Sequence, residues 1–455
     1  MDNLLFNLDF SGAAVTTDDG RIVSYAELKR LSDEWAAKVP IRSLVFLLVG
    51  NNLDSLVAYV ACLNHGIVPL MLDAHLDSQL LQRFMDIYRP DYIWRPTDGG
   101  YALERLNMQN EQKELHPDLA LLLTTSGSTG SPKLVRQSYT NIKANTKSII
   151  EYLQLDATER PITTLPMNYT YGLSIINSHL NVGATILLTD RSIMQREFWN
   201  FFTEQGATSF GGVPYTYEML DKLMFFRRKL PSLRTMTQAG GKILPELHQK
   251  FAEYAKREGK KFVVMYGQCE ATARMGYLPS DRALDKIGSM GVAIPGGKFT
   301  IIDVDGNEIV EPEVTGELVY EGANVTLGYA ECAEDLAKGD ERHGRLVTGD
   351  MAKRDADGFY YIVGRKKRFL KIFGNRVNLD ETERLIKGRF AGIDCACGGV
   401  DDKMKIYVAG STWDFSAIRD FIADITHLNF TAFEVVAVET IPKNASGKTL
   451  YTELP

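Results

Sequence analysis

The chain has 455 residues, 45% of them apolar and 24% charged, an ordinary balance for a water-soluble globular protein. That length exceeds one hydrophobic core and predicts about two to four domains or subdomains. A formal net charge of -7 argues against a general nucleic-acid binder, although a local basic pocket for an anionic ligand remains open.

In chain order, the opening "MDNLLFNLDFSG" carries no basic region before its apolar residues and does not read as a signal peptide. Apolar runs such as "SLVFLLVG" are strand-length, well short of a membrane span. A cytoplasmic enzyme without a membrane span is the expectation. "SYAELKRLSDEWAAKV" places Leu28, Leu31 and Trp35 at helical spacing behind Ser24, an N-cap residue. "LVFLLVG" reads as a buried strand, "LDSLVAYVACLNHG" as a helix ending at Gly66, and "IVPLMLDA" as the next strand. This alternation predicts an α/β layered structure with a mostly parallel sheet.

Beyond about residue 287 the texture becomes β-rich and barrel-like. Asp305-Gly306 and Asp357-Gly358 each interrupt apolar strands as hairpin turns. From Lys367 onward "LDETERLIKGRF" and "SAIRDFIADIT" read as helices, and "KIYVAG" and "EVVAV" as strands, giving a small α+β domain. The expected division is residues 1–366, with α/β subdomains to about 286 and a β-rich subdomain over 287–366, followed by a mobile C-terminal domain over 367–455. The five cysteines are scattered and odd in number, unlike a disulfide framework. Cys395 and Cys397 have no histidine near them, so they read as half-buried thiols at a strand end rather than metal ligands.

"TTSGSTGSPK", Thr124 to Lys133, combines small residues, hydroxyls and a terminal lysine. Small residues let backbone N–H groups approach an anion, and a lysine neutralises charge. The loop therefore suits a polyphosphate, or else is a plain surface turn. It is not a P-loop, which needs G-x-x-x-x-G-K-[ST] opening a helix, because "SPKLVRQS" reads as a strand. "PKNASGKT" near the C-terminus ends like a Walker motif, but Pro442 stands where glycine is required.

"LLLTTSGSTGSPK", "MYGQCEAT", "TGELVYEGANVTLGY", "LVTGD", "GFYYIVGRKKRFLKIFGNRVNLDETE" and "PKNASGKT", in this order, resemble the acyl-adenylate-forming superfamily. That superfamily includes acyl-CoA synthetases, adenylation domains of peptide synthetases and luciferases. The resemblance spans about residues 24–451. It implies that a carboxylic acid is activated with ATP and Mg²⁺ to an acyl-adenylate, with release of pyrophosphate. The acyl group then passes to a thiol of coenzyme A or of phosphopantetheine on a carrier protein. Pushing one anion onto another requires a site rich in positive charge and hydrogen-bond donors.

By this resemblance Thr125, Ser126, Gly127, Ser128, Thr129 and Gly130, with Lys133, hold the β- and γ-phosphates, and Glu270 binds the Mg²⁺. Asp350 accepts from both ribose hydroxyls and Arg365 also reaches the ribose. Gly240, Gly241 and Tyr266 border the adenine, with Gly267 and Cys269 beside them, and Gly291 with Pro295 shapes a nearby turn. Lys448 reaches the α-phosphate and the attacking carboxylate. Lys367 is the hinge of the small domain, and Lys371 to Gly374 form the thiol path after its rotation.

The sequence departs from the family pattern at Cys269, where threonine is common, and at Arg368, often acidic. Tyr451 stands where arginine is frequent, and Tyr169 where many acyl-CoA synthetases have histidine. Asn168, Tyr169, Thr170 and Tyr171 are all neutral, whereas amino-acid-activating relatives place an aspartate in this segment. A buried ammonium without a carboxylate is costly, so an aryl or aliphatic acid without an α-amino group is favoured. Tyr169, Tyr171 and Tyr215 are candidate pocket residues, or alternatively core. An amino-acid-activating enzyme and a non-catalytic adenylate-binding protein of the same fold are the alternatives.

Overall fold

The computed structural model describes residues 5–106, 114–124, 133–366, 368–443 and 449–455. Strand Leu44–Val49 is buried along its whole length. It runs parallel to Val68–Asp73 on one side and to Tyr92–Thr97 on the other, in the interior of a seven-stranded sheet. Its alternate residues feed two different cores. Val45, Leu47 and Val49 join one, with Tyr25, Trp35 and the helix Leu53–Asn64. Leu44, Phe46 and Leu48 join the other, with Phe84 and Tyr88. A sheet covered on both faces requires an unbroken apolar run, and that is what the sequence shows.

The predicted helices form with the expected ends. Ser24 accepts from Glu27 N before Tyr25–Ala36, and the helix Leu53–Asn64 stops just before Gly66. Strand Leu134–Ser138 follows the loop as expected, and Ser138 then caps helix Tyr139–Leu153 in a capping box with Asn141.

A second, five-stranded sheet is built on the parallel strands Ser209–Gly212, Thr235–Gln238 and Lys261–Tyr266. Their register brings the carboxyl ends, Gly212, Gln238 and Tyr266, to one edge. The β-rich stretch is a four-stranded antiparallel sheet, Gly297–Ile302, Gly316–Gly322, Arg345–Arg354 and Tyr360–Arg365. A bridge between Gly291 and Tyr360 ties its last strand back toward the five-stranded sheet, curling the layer. The Asp357-Gly358 turn joins two strands of this sheet; the Asp305-Gly306 turn returns only as far as a single bridge, Ile302 to Glu308.

The C-terminal part packs helices Leu379–Arg389 and Phe415–Thr426 against the strands Cys395–Val400, Lys403–Ala409 and Phe433–Val438 around its own core. Cys395 and Cys397 are fully buried in that core rather than half-buried, because both thiols point into its apolar side. Among the described residues no helix is long and apolar enough to cross a membrane.

Arg136 is the largest fully buried side chain. From strand Leu134–Ser138 it donates to the carbonyls of Tyr329, Leu327, Gly339 and Lys338, and pairs with Glu341 Oε2 at 2.5 Å. One guanidinium thereby fixes the segment from Leu327 to Glu341. Arg136→Ala strands these acceptors and is expected to destabilise the fold by about 3–5 kcal/mol. A urea midpoint within error of the parent would show that the segment is held by something else.

Candidate active site

The carboxyl edge of parallel strands is where an α/β sheet leaves a crevice for a ligand. Tyr266 ends one such strand, and Gly240 and Gly241 follow another. Into this edge the four-stranded sheet delivers Asp350, only 8% exposed. Asp350 Oδ2 accepts from Tyr266 OH at 2.5 Å and from Gln268 Nε2 at 2.8 Å. Burial and the adjacent Asp350 charge push the Tyr266 hydroxyl well above its usual range, so it stays a donor. Across the hairpin Asp350 faces Arg365, with Arg365 Nε 3.8 Å from Oδ1. The structure thus brings Tyr266, Asp350 and Arg365 together, and adds Gln268, which the sequence reading missed although it lies inside the quoted "YGQCE".

Glu270 lies in the short turn Cys269–Ala271. Its Oε1 accepts from Tyr329 OH at 2.6 Å, and its main-chain oxygen accepts from Thr326 N and Arg342 Nη1, each at 3.0 Å. Lys133 Nζ lies 3.7 Å from the Tyr329 ring centre and Arg342 Cζ 4.6 Å from it. Lys133 also pairs with Glu331 at 3.3 Å. Two cations therefore flank one ring at the end of the loop that Lys133 closes. Tyr329 lay within a quoted motif; Arg342 carried no local signal, because its partner Glu270 is 72 residues away.

Glu270 Oε2 accepts from no described residue, and among the described residues no group of three metal-ligating side chains exists. This donor set fits Mg²⁺, which binds through one or two carboxylates with the substrate's phosphates and water.

Thr125, Ser126, Gly127, Ser128, Thr129, Gly130, Lys367 and Lys448 lie outside the described residues. Gly240 faces Tyr169: a Cβ there would stand 2.6 Å from the Tyr169 hydroxyl. Gly241 packs on Pro214. Cys269 is buried, and burial pushes the Tyr169 hydroxyl above its usual range. Asn168 Oδ1 is buried with no partner among the described residues.

The other two candidate pocket residues differ in exposure. Tyr171 is core: it is 3% exposed, and its hydroxyl is committed to Thr237 Oγ1 at 2.7 Å. Tyr215 is 50% exposed in the first turn of helix Pro214–Lys222. The sequence could not separate core from pocket here, because both positions are aromatic for different reasons.

At the junction, Arg368 binds Asp380 Oδ1 at 2.8 Å and Glu383 Oε1 at 2.5 Å, and donates to Cys397 O. Its guanidinium lies 3.6 Å from the Tyr451 ring centre, and Tyr451 OH donates to Glu383 Oε2 at 3.0 Å. Two of the four departures from the family pattern, Arg368 and Tyr451, are thus each other's partners. Lys371 N donates to Asp401, and Gly374 sits at φ 83° in the hairpin turn between Phe369–Ile372 and Asn375–Asn378, with open space around it.

An enclosed carboxylate at the carboxyl ends of parallel strands, with a cationic cluster at the end of a glycine-rich loop, defines a nucleotide-binding enzyme. The AMP-binding enzyme family profile matches residues 91–330, and the chain belongs to that family. It is 30% identical over 404 residues to the peroxisomal OPC-8:0-CoA ligase 1 of Arabidopsis thaliana, covering 85% of this chain and 71% of that one. To the 4-coumarate–CoA ligase-like 2 of the same plant it is 27% identical over 447 residues, 96% of this chain and 77% of the other. In fold it matches the O-succinylbenzoate coenzyme A synthetase of Bacillus subtilis solved with AMP. The TM-score is 0.81 at 21% identity, covering 97% and 95% of the two chains.

Asp350→Ala removes the charged acceptor shared by Tyr266 and Gln268. If this carboxylate holds the ribose, ATP affinity falls by about 2–4 kcal/mol. Tyr266→Phe, which leaves the charge, costs about 1 kcal/mol. Calorimetric titration with ATP decides it, and equal affinities in all three proteins would remove Asp350 from the nucleotide site.

Proposed function

We propose that this protein is an AMP-forming acid–thiol ligase. It activates a carboxylic acid with ATP to an acyl-adenylate, releases pyrophosphate and passes the acyl group to coenzyme A. The observation that carries this reading is the buried Asp350, held by Tyr266 and Gln268 at the carboxyl edge of the parallel strands in a chain of the AMP-binding family. The relatives' names, all CoA ligases, favour coenzyme A over a carrier protein as acceptor.

In this reading Asp350 and Arg365 take the ribose, and Gly240, Gly241 and Tyr266 border the adenine. Glu270 orients Mg²⁺, which supplies charge neutralisation between phosphate oxygens when bound. Lys133 and the loop Thr125 to Gly130 receive the β- and γ-phosphates, with Arg342 adding a second cation. Tyr329 donates to Glu270 Oε1 and so turns the other oxygen outward. Tyr169 and Asn168 line the acyl side opposite Gly240, and the absence of an acid there favours a substrate without an α-amino group.

Pyrophosphate exchange with ATP tests the reading: unaminated aryl or aliphatic acids are expected to stimulate it more than any α-amino acid. Selective activation by an amino acid would overturn the substrate reading, and no exchange with any acid would overturn the ligase reading.

The small domain is proposed to alternate about Lys367, bringing Lys448 for adenylation and the turn at Gly374 for thiol entry. Lys448→Ala is expected to abolish adenylate formation while thioester formation from a supplied acyl-adenylate survives. Gly374→Trp fills open space at the turn tip and is expected to damage only the second step. Equal losses in both steps would refute the alternation.

A further inference from the structure

Arg136 and Arg274 are the two fully buried arginines among the described residues, and the fold treats them in opposite ways. Arg136 is matched by Glu341 and a set of carbonyls. Arg274 is 2% exposed and has no carboxylate partner among the described residues; outside them the only acids are Asp2 and Glu111. Its Nε donates to Ser174 Oγ at 3.1 Å, and its Nη1 to Tyr152 OH at 2.9 Å and Met265 Sδ at 3.3 Å. Nη2 donates to no described residue. The face of Tyr171 lies 5.1 Å from Cζ.

A guanidinium cannot shed its proton, and burying one without an anion costs several kcal/mol. Two hydroxyls, a thioether and a ring offset that cost only in part. If the position served packing alone, leucine or methionine would fill it without desolvating a charge.

The backbone is also forced to deliver this side chain. Thr272 and Ala273, directly before it, sit at φ 54° and 97°, left-handed conformations that neither residue favours. Strain of this kind collects at functional sites. Gly267 makes the turn possible, because a Cβ there would lie 1.6 Å from Ala273 O. Asn145 and Asn324 each donate from Nδ2 to Arg274 O, at 2.7 and 3.0 Å, and pin the result.

The location connects this cation to the acyl side of the proposed site. Tyr171 touches both Arg274 and Tyr169, whose ring centre is 6.3 Å from that of Tyr171, and Tyr169 faces Gly240. Tyr171 therefore links Arg274 to Tyr169, the residue that faces Gly240.

We propose that Arg274 recognises a second carboxylate on the substrate, and that the acid activated here is a dicarboxylic acid. This rests on the ligase reading and narrows its substrate class. One carboxylate is adenylated; the other is anchored by the planar guanidinium, which presents paired donors to such a group. The same buried cation repels an ammonium, which agrees with the missing aspartate around Tyr169.

The test is pyrophosphate exchange by the whole protein with acids paired by carbon skeleton, each monocarboxylic acid against the dicarboxylic acid of equal length, aliphatic and aryl. The wild type is expected to favour the best diacid over its monoacid partner by about tenfold or more in kcat/KM. Arg274→Met is expected to raise the KM for the diacid by about tenfold or more while exchange with the monoacid gains, and Arg274→Lys to keep part of the preference. A thermal shift with ATP shows which variants are folded, and if the methionine variant is not, the wild-type panel and the lysine variant decide. Stimulation by monoacids with none by diacids overturns this inference and leaves the ligase reading standing. A diacid preference unchanged in folded Arg274→Met also overturns it. Silence with every acid removes the ligase reading, and this inference with it.

Discussion

The candidate site depends on a single buried carboxylate shared between two sheets. Asp350 comes from an antiparallel hairpin, and Tyr266 and Gln268 come from the end of a parallel strand, more than eighty residues earlier in the chain. A charge this deeply enclosed is tolerated only when its oxygens are occupied by donors. The two sheets must therefore dock in one register. The hairpin's own register sets Arg365 opposite Asp350, and the docking brings that pair to the edge where the parallel strands end. Without it the parts exist but no crevice does.

The other end of the site is held by a different device. Arg136 collects the carbonyls of a segment whose regular elements are a short strand at Gly328–Ala330 and a 3-10 turn at Ala333–Ala337. Through that segment it sets Tyr329 against Glu270, and Lys133 and Arg342 against the Tyr329 ring. A well-satisfied buried cation gives rigidity, and the segment it rigidifies carries the charged end of the site. Arg274 shows the contrast: equally buried, reached through strained backbone and left short of an anion.

The junction to the small domain shows how a family pattern is kept while its residues change. Arg368 and Tyr451 both depart from the usual types, yet stack on one another and share Glu383. Tyr451 lies three residues past Lys448 in the sequence, so the stack ties the segment following that lysine to the residue after Lys367. The cation lies on the ring inside an acidic cluster and pairs directly with Asp380 and Glu383 as well.

Much of this was legible in the sequence. Unbroken apolar runs such as Leu44–Val49 could only be strands covered on both faces, and Ser24, Ser138 and Gly66 marked helix ends by local chemistry. The ordered motifs singled out Asp350, Glu270 and Arg365 by resemblance, and the fold brings Asp350 and Arg365 side by side. Local signals could not tell that Tyr171 is core while Tyr215 is exposed, since aromatic residues serve both places. Nor could they find Gln268, Tyr329 and Arg342 as partners, or show that Arg136 is satisfied and Arg274 is not. Those distinctions depend on which distant groups arrive at a side chain, and burial and pairing between remote segments exist only once the sheets have docked.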